Sequence, residues 1–136
     1  MKAILIFALF LAFSNALYIS NSWKIINNGA GNFRPTSVVF AYPPKAKQFN
    51  QIIVCGVAIN DCQINSYNFQ VSKGSQVWFS GTHNLPSQYV FSGANYCINH
   101  EIMIPAVAPP LFTVYFSLQN NNNHITTLEI NLTVTP

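Results

Sequence analysis

Two stretches, Phe112-Thr113-Val114-Tyr115-Phe116-Ser117-Leu118 and Leu128-Glu129-Ile130-Asn131-Leu132-Thr133-Val134, decide how this chain folds. In the first, Phe112, Val114, Phe116 and Leu118 fall on one side and Thr113, Tyr115 and Ser117 on the other. In the second, Leu128, Ile130, Leu132 and Val134 oppose Glu129, Asn131 and Thr133. A period of two is the signature of a strand with one face buried. The asparagine-rich link, residues 119–124, reads as a solvated turn. The pair is therefore a long antiparallel hairpin with an apolar face that something must cover.

Working outward, the rest of the chain repeats the pattern. Residues 36–42 alternate, with Val38, Phe40 and Tyr42 on one side, and stop at Pro43-Pro44, which cannot donate ladder hydrogen bonds. Residues 49–59 are apolar on both faces in the middle. Residues 63–71 place Tyr67, Phe69 and Val71 opposite Ser66, Asn68 and Gln70. Residues 76–80 form a short strand, residues 81–95 a loop, and residues 98–104 a strand with His100, Ile102 and Ile104 on one side. Residues 105–110 form a proline-rich crossing. No stretch carries a helical period. Seven or eight short strands with turns between them predict an all-β, immunoglobulin-like, two-sheet antiparallel sandwich.

The first 16 residues are expected to be a secretory signal: a basic start at Lys2, an apolar run too short to span a bilayer, and small residues at Ser14-Asn15-Ala16. Residues 17–136 then form one exported domain. Only 7% of the residues are charged, against about 25% in an average domain. The wet surface must come from Asn, Gln, Ser and Thr. The small positive balance, without basic clusters beyond Lys45 and Lys47, argues against a nucleic-acid partner.

Three cysteines in an exported chain permit a disulfide and leave one over. A Cys55–Cys62 bond across a hairpin is the preferred pairing, with Cys62–Cys97 the competitor. Catalysis is poorly supplied. Asp61, Glu101 and Glu129 are dispersed, and no serine elbow or zinc-binding histidine pair occurs. No enzyme activity, cofactor or metal is expected. Cys97 near His100 reads as a structural or free thiol beside a surface histidine, and His83 and His124 as solvated loop residues. Asn131-Leu132-Thr133 is an N-glycosylation acceptor with Asn131 on the wet face. The apolar stripe is either an ordinary filled core or a core held open for an apolar ligand.

Taken in order, the landmarks resemble the ML family of secreted lipid-recognition domains. Trp23 precedes an Asn-Gly turn, Tyr42-Pro43-Pro44-Lys45 is similar to a proline-rich spacer, and Gly56 lies in an apolar strand. Ser92-Gly93-Ala94-Asn95-Tyr96-Cys97 resembles that family's Gly-x-x-Cys stretch, and the final hairpin is the nearest match. The family commonly ties its first segment to its last strand by a disulfide, yet no cysteine lies near Asn28 or Thr127. The resemblance implies a sandwich whose sheets part around an apolar cavity that holds a sterol or phospholipid. Its implied wall residues are Phe69, Val71, Phe79, Ile102, Ile104, Phe112, Val114, Phe116, Leu128, Ile130 and Leu132. Tyr89, Val90 and Phe91 would form the mouth or touch a membrane, and Lys45 and Lys47 would meet anionic headgroups. An empty cavity of ~300 Å³ would cost about 7 kcal/mol, so a ligand that fills it also stabilises the fold. The implied role is lipid binding and transfer, secreted or in a lysosomal lumen, with transient membrane contact. The alternative is a non-catalytic exported interaction or adhesion module with a filled core.

Overall fold

The computed structural model describes residues 18–20, 22–104, 111–121 and 123–134. The expected signal segment and the proline-rich crossing at 105–110 lie outside them. Nine strands run in order: β1 (Tyr18–Ser20), β2 (Trp23–Asn27), β3 (Phe33–Phe40), β4 (Phe49–Ala58), β5 (Cys62–Lys73), β6 (Gln76–Val90), β7 (Asn95–Met103), β8 (Leu111–Asn120) and β9 (Asn123–Thr133). They build a four-stranded sheet, β1-β3-β4-β7, and a five-stranded sheet, β2-β9-β8-β5-β6, with every pairing antiparallel. The chain is a two-sheet antiparallel sandwich, as its periodicity predicts.

The hairpin of β8 and β9 forms in the expected register, with Phe112 opposite Leu132, Val114 opposite Ile130 and Phe116 opposite Leu128. Its apolar face meets Val38, Phe40, Ile52 and Val54 of the other sheet in one buried core. Val38, Phe40, Ile52, Val114 and Ile130 are 0% exposed, so no space that admits a water molecule touches them. The middle of the sandwich is closed side chain to side chain.

Bulges explain where simple alternation fails. In β3 the register shifts between Pro35 and Ser37. Phe33 and Pro35 face inward before the shift, Val38 and Phe40 after it. Thr36 is the extra residue, and Pro35 beside it, opposite Gly56, brings no N–H to the interrupted ladder. β3 ends at Phe40, so Tyr42 lies beyond the ladder and is exposed, contrary to its expected inward position. β5 shifts at Ile64/Ser66, which buries Ser66 and Tyr67 side by side. The largest departure is β6. The region expected to be a short strand and a loop is one 15-residue edge strand. Ile64 pairs with Gln88 and Ser66 with Asn84, so Leu85, Pro86 and Ser87 arch away from the ladder. An edge strand tolerates that arch, and Pro86 with it.

The cysteine pairing also differs from expectation. Cys55 is bonded to Cys97, and Cys62 is free. β4 and β5 belong to different sheets, so Cys55 and Cys62 never face each other across a hairpin. Cys55 and Cys97 are direct register partners on β4 and β7, with Cα atoms 4.1 Å apart. Direct opposition on neighbouring strands brings their side chains out on the same face of the sheet, within reach of each other.

Candidate functional site: a cleft between two sheet edges

β6 and β7 are consecutive in the chain yet form the edges of opposite sheets. The turn between them is tied down. Ala94 N–H donates to Phe91 C=O at 2.9 Å, Gly93 N–H to Ala58 C=O at 2.7 Å, and Ser92 N–H to Asp61 Oδ1 at 2.7 Å. Gly93 has φ +86°, which an L side chain rarely adopts. Beyond this fixed corner, between the far halves of the two strands, lies an open cleft of about 360 Å³.

Phe69 of β5, Trp78, Phe79 and His83 of β6, and His100 to Met103 of β7 line the cleft. Register explains the β6 wall. Phe79 lies opposite Val71, Gly81 opposite Phe69 and His83 opposite Tyr67, all on the inner face. The register shift at Val71/Ser72 inserts Trp78 as the extra residue. Its indole meets the Phe112 ring edge-on at 5.4 Å. Gly81 carries no side chain where a Cβ would stand 3.1 Å from the Phe69 ring, so that ring can close up against the strand.

A polar knot sits at the back of this apolar wall. Tyr67 Oη is 2.7 Å from His100 Nδ1, and the His83 ring stacks on the Tyr67 ring at 5.2 Å. His100 also contacts Phe69 at 4.4 Å and His83 at 4.9 Å between ring centres. Burial, and then the neighbouring His83, lower the His100 pKa to about 4. His100 is therefore neutral at physiological pH. Burial likewise raises the Tyr67 pKa, which keeps the phenol protonated. Among the described residues the Trp78 Nε1–H is buried without a hydrogen-bond partner. Glu101 is the one formally charged residue on the lining among the described residues. Among the described residues no three metal-binding side chains gather. The arrangement can hold an apolar or aromatic body and offer it the neutral His100 imidazole, with the His83 ring beside it.

Of the residues expected to form a wall, Phe69, Phe79 and Ile102 line the cleft. Val71, Ile104, Phe112, Val114, Phe116, Leu128, Ile130 and Leu132 are buried in the packed interior behind it. Tyr89 and Phe91 are exposed and touch each other at 5.0 Å, but they stand at the tied corner. The register partners of His83 and Tyr89 on β5, Tyr67 and Gln63, are four residues apart, so the corner lies about 13 Å along the sheet from His83 at ~3.3 Å per residue. Val90 is buried. Trp78, His83, His100, Glu101 and Met103 line the cleft without having been expected on its wall. For His100 the signal was present: it shares its phase with Ile102 and Ile104. It is buried, not a surface histidine, and His83 and His124 lie on strands rather than in loops. Asn131 is exposed, and its Oδ1 accepts from Thr113 Oγ1 at 3.1 Å, which leaves its Nδ2 unused.

No protein family and no curated protein matches the sequence. Solved structures do match. The C-terminal domain of wzt superposes with a TM-score of 0.63 at 10% identity over 91% of this chain and 84% of that one. A Niemann-Pick type C2 protein from Japanese carpenter ant gives 0.51 at 6% identity over 82% and 99%. Chicken MD-1, solved with lipid IVa, gives 0.48 at 8% identity over 86% and 96%. At such identities the first two of these likenesses establish a shared sandwich fold.

Proposed function

We propose that this protein is an exported lipid-binding sandwich that takes an apolar molecule, a sterol or a phospholipid acyl chain, between its sheets through the β6–β7 cleft. The observation that carries the reading is the cleft itself. It is apolar, rich in aromatic side chains, open to the surface, and placed where two sheets can part without breaking a ladder hydrogen bond. Its volume falls within the range of small-ligand sites. An apolar ligand that hides about 200 Å² gains roughly 5 kcal/mol before ordering costs. The likeness of the fold to a Niemann-Pick type C2 protein and the ML-like sequence landmarks support the same reading.

Binding is by burial, and no bond in the lipid changes. A longer ligand would have to slide past Phe69 and Ile102 toward Phe112 and Val114. Transfer would bring the protein to a bilayer, where the exposed Tyr89 and Phe91 pair, with Ile59, offers an apolar contact and the low surface charge permits close approach. The Cys55–Cys97 bond fits an oxidising compartment, and with it removal of residues 1–16 and glycosylation at Asn131.

Native mass spectrometry of the secreted protein tests this reading. A lipid adduct, lost in Phe79→Asp, is the expected result. A bare protein that also fails to take up fluorescent sterol or phospholipid would overturn it. The second reading, an exported interaction or adhesion module, is favoured by one observation, the closed centre of the sandwich, and that second result would leave it standing.

A further inference from the structure

The outer face of the five-stranded sheet carries a second depression of about 360 Å³, unrelated in chemistry to the cleft. Two polar rows flank it across β6, β5 and β8. One is Ser80, Gln70 and Tyr115, and the other is Thr82, Asn68 and Ser117. Between them the backbone of Gly81 and Phe69 forms the floor. Among the described residues none of this lining carries a formal charge. Three strands at ~4.8 Å spacing give a groove about 10 Å long between the outer strand axes.

We infer that this groove is a binding site for a neutral oligosaccharide. The argument is one of matched hydrogen-bond inventory. A sugar hydroxyl both donates and accepts, and amides and hydroxyls answer both roles without the desolvation cost of a charge. Several of the groove's groups are already oriented and still have capacity. Thr82 Oγ1–H donates to Asn68 Oδ1 at 2.6 Å, which leaves the Asn68 Nδ2 donors unused. Thr127 Oγ1–H donates to Ser117 Oγ at 3.0 Å, which leaves the Ser117 hydroxyl proton available. Gln70, Ser80 and the Tyr115 hydroxyl make no side-chain hydrogen bond among the described residues. The half-buried Tyr115 ring supplies one aromatic surface for the apolar face of a pyranose. A phosphate, nucleic acid or acidic glycan would find no cation in this lining. The nearest ion pair, Lys24 with Glu129 at 3.8 Å, is internally matched.

The test is calorimetric titration with malto-, cello-, manno- and chitohexaose, and with a heparin hexasaccharide as the charged control. Every sample carries Asn131→Gln, so that no glycan on the same sheet face can occupy the groove. One of the neutral sugars should bind saturably. Asn68→Ala with Gln70→Ala should weaken that binding at least tenfold without moving the melting temperature, and Phe79→Asp in the cleft should leave it unchanged. Binding to none of the neutral sugars, binding to heparin alone, or binding that survives the groove double variant would each overturn the inference. None of these results bears on lipid uptake, which is read separately by the mass of the protein.

Discussion

Acidification should loosen this sandwich through one imidazole. His100 is 5% exposed. Tyr67 and Phe69 of β5, His83 of β6 and Phe116 of β8 surround it, and of these only His83 can share its charge. Its pKa falls from 6.5 to about 4 on folding. The folded state thus binds this proton less readily than the unfolded chain. Stability is complete above pH 6.5, declines as the pH falls through the window from 6.5 to 4, and levels off below it. At pH 5 the unfolded imidazole is almost fully charged and the folded one about one-tenth so, a loss of about 2 kcal/mol, rising to about 3 kcal/mol below pH 4. For a domain of this size that lowers the melting temperature by roughly 8 °C between pH 7.5 and pH 5. With only three Asp and Glu side chains in the sequence, few other groups compete in that window. Urea unfolding at the two pH values measures the difference directly. In His100→Asn, which keeps a polar partner for Tyr67 but does not titrate, most of the pH dependence should vanish. An unchanged drop in that variant would refute the reasoning.

Other outcomes follow from single features. Under denaturing, non-reducing conditions thiol titration should find one reactive cysteine, Cys62, and three after reduction. Cys55→Ser with Cys97→Ser should lower unfolding free energy by about 4 kcal/mol, because the bond closes 42 residues. Gly56→Ala should destabilise by about 2–3 kcal/mol in a denaturant titration, since its Cβ would stand 2.5 Å from the Phe33 ring and 2.6 Å from the Arg34 carbonyl oxygen. Expression in a glycosylating host should give a gel mobility shift reversed by an endoglycosidase and absent in Asn131→Gln.

The β8–β9 hairpin was legible because both strands are regular and bury one face. β7 was equally so from Ile98 onward, His100 included. Legibility ended where period-two alternation is interrupted. The shift at Pro35 in β3 changes which residues face inward, and the arch at Leu85–Ser87 made the middle of β6 look like a loop. The disulfide was beyond the sequence for a topological reason. Its partners sit on β4 and β7, which are neighbours only because the chain crosses to the other sheet and returns. The cleft was hidden for the same reason. Its walls come from the edges of two sheets, and only the assignment of β6 and β7 to opposite layers places Trp78 and Phe79 across from Ile102 and Met103.

The two tryptophans allow the central claim to be tested directly. Trp78 lines the cleft, and Trp23 lies on β2 at the opposite edge of the same sheet, four strand spacings or about 19 Å away. Single-tryptophan proteins, Trp23→Phe and Trp78→Phe, can be titrated with a bromine-labelled acyl lipid, whose heavy atoms quench emission only at short range. Saturable quenching of Trp78, with Trp23 largely unaffected, is the result expected of a lipid seated between the β6 and β7 edges. Absence of quenching, or equal quenching of both, would contradict it.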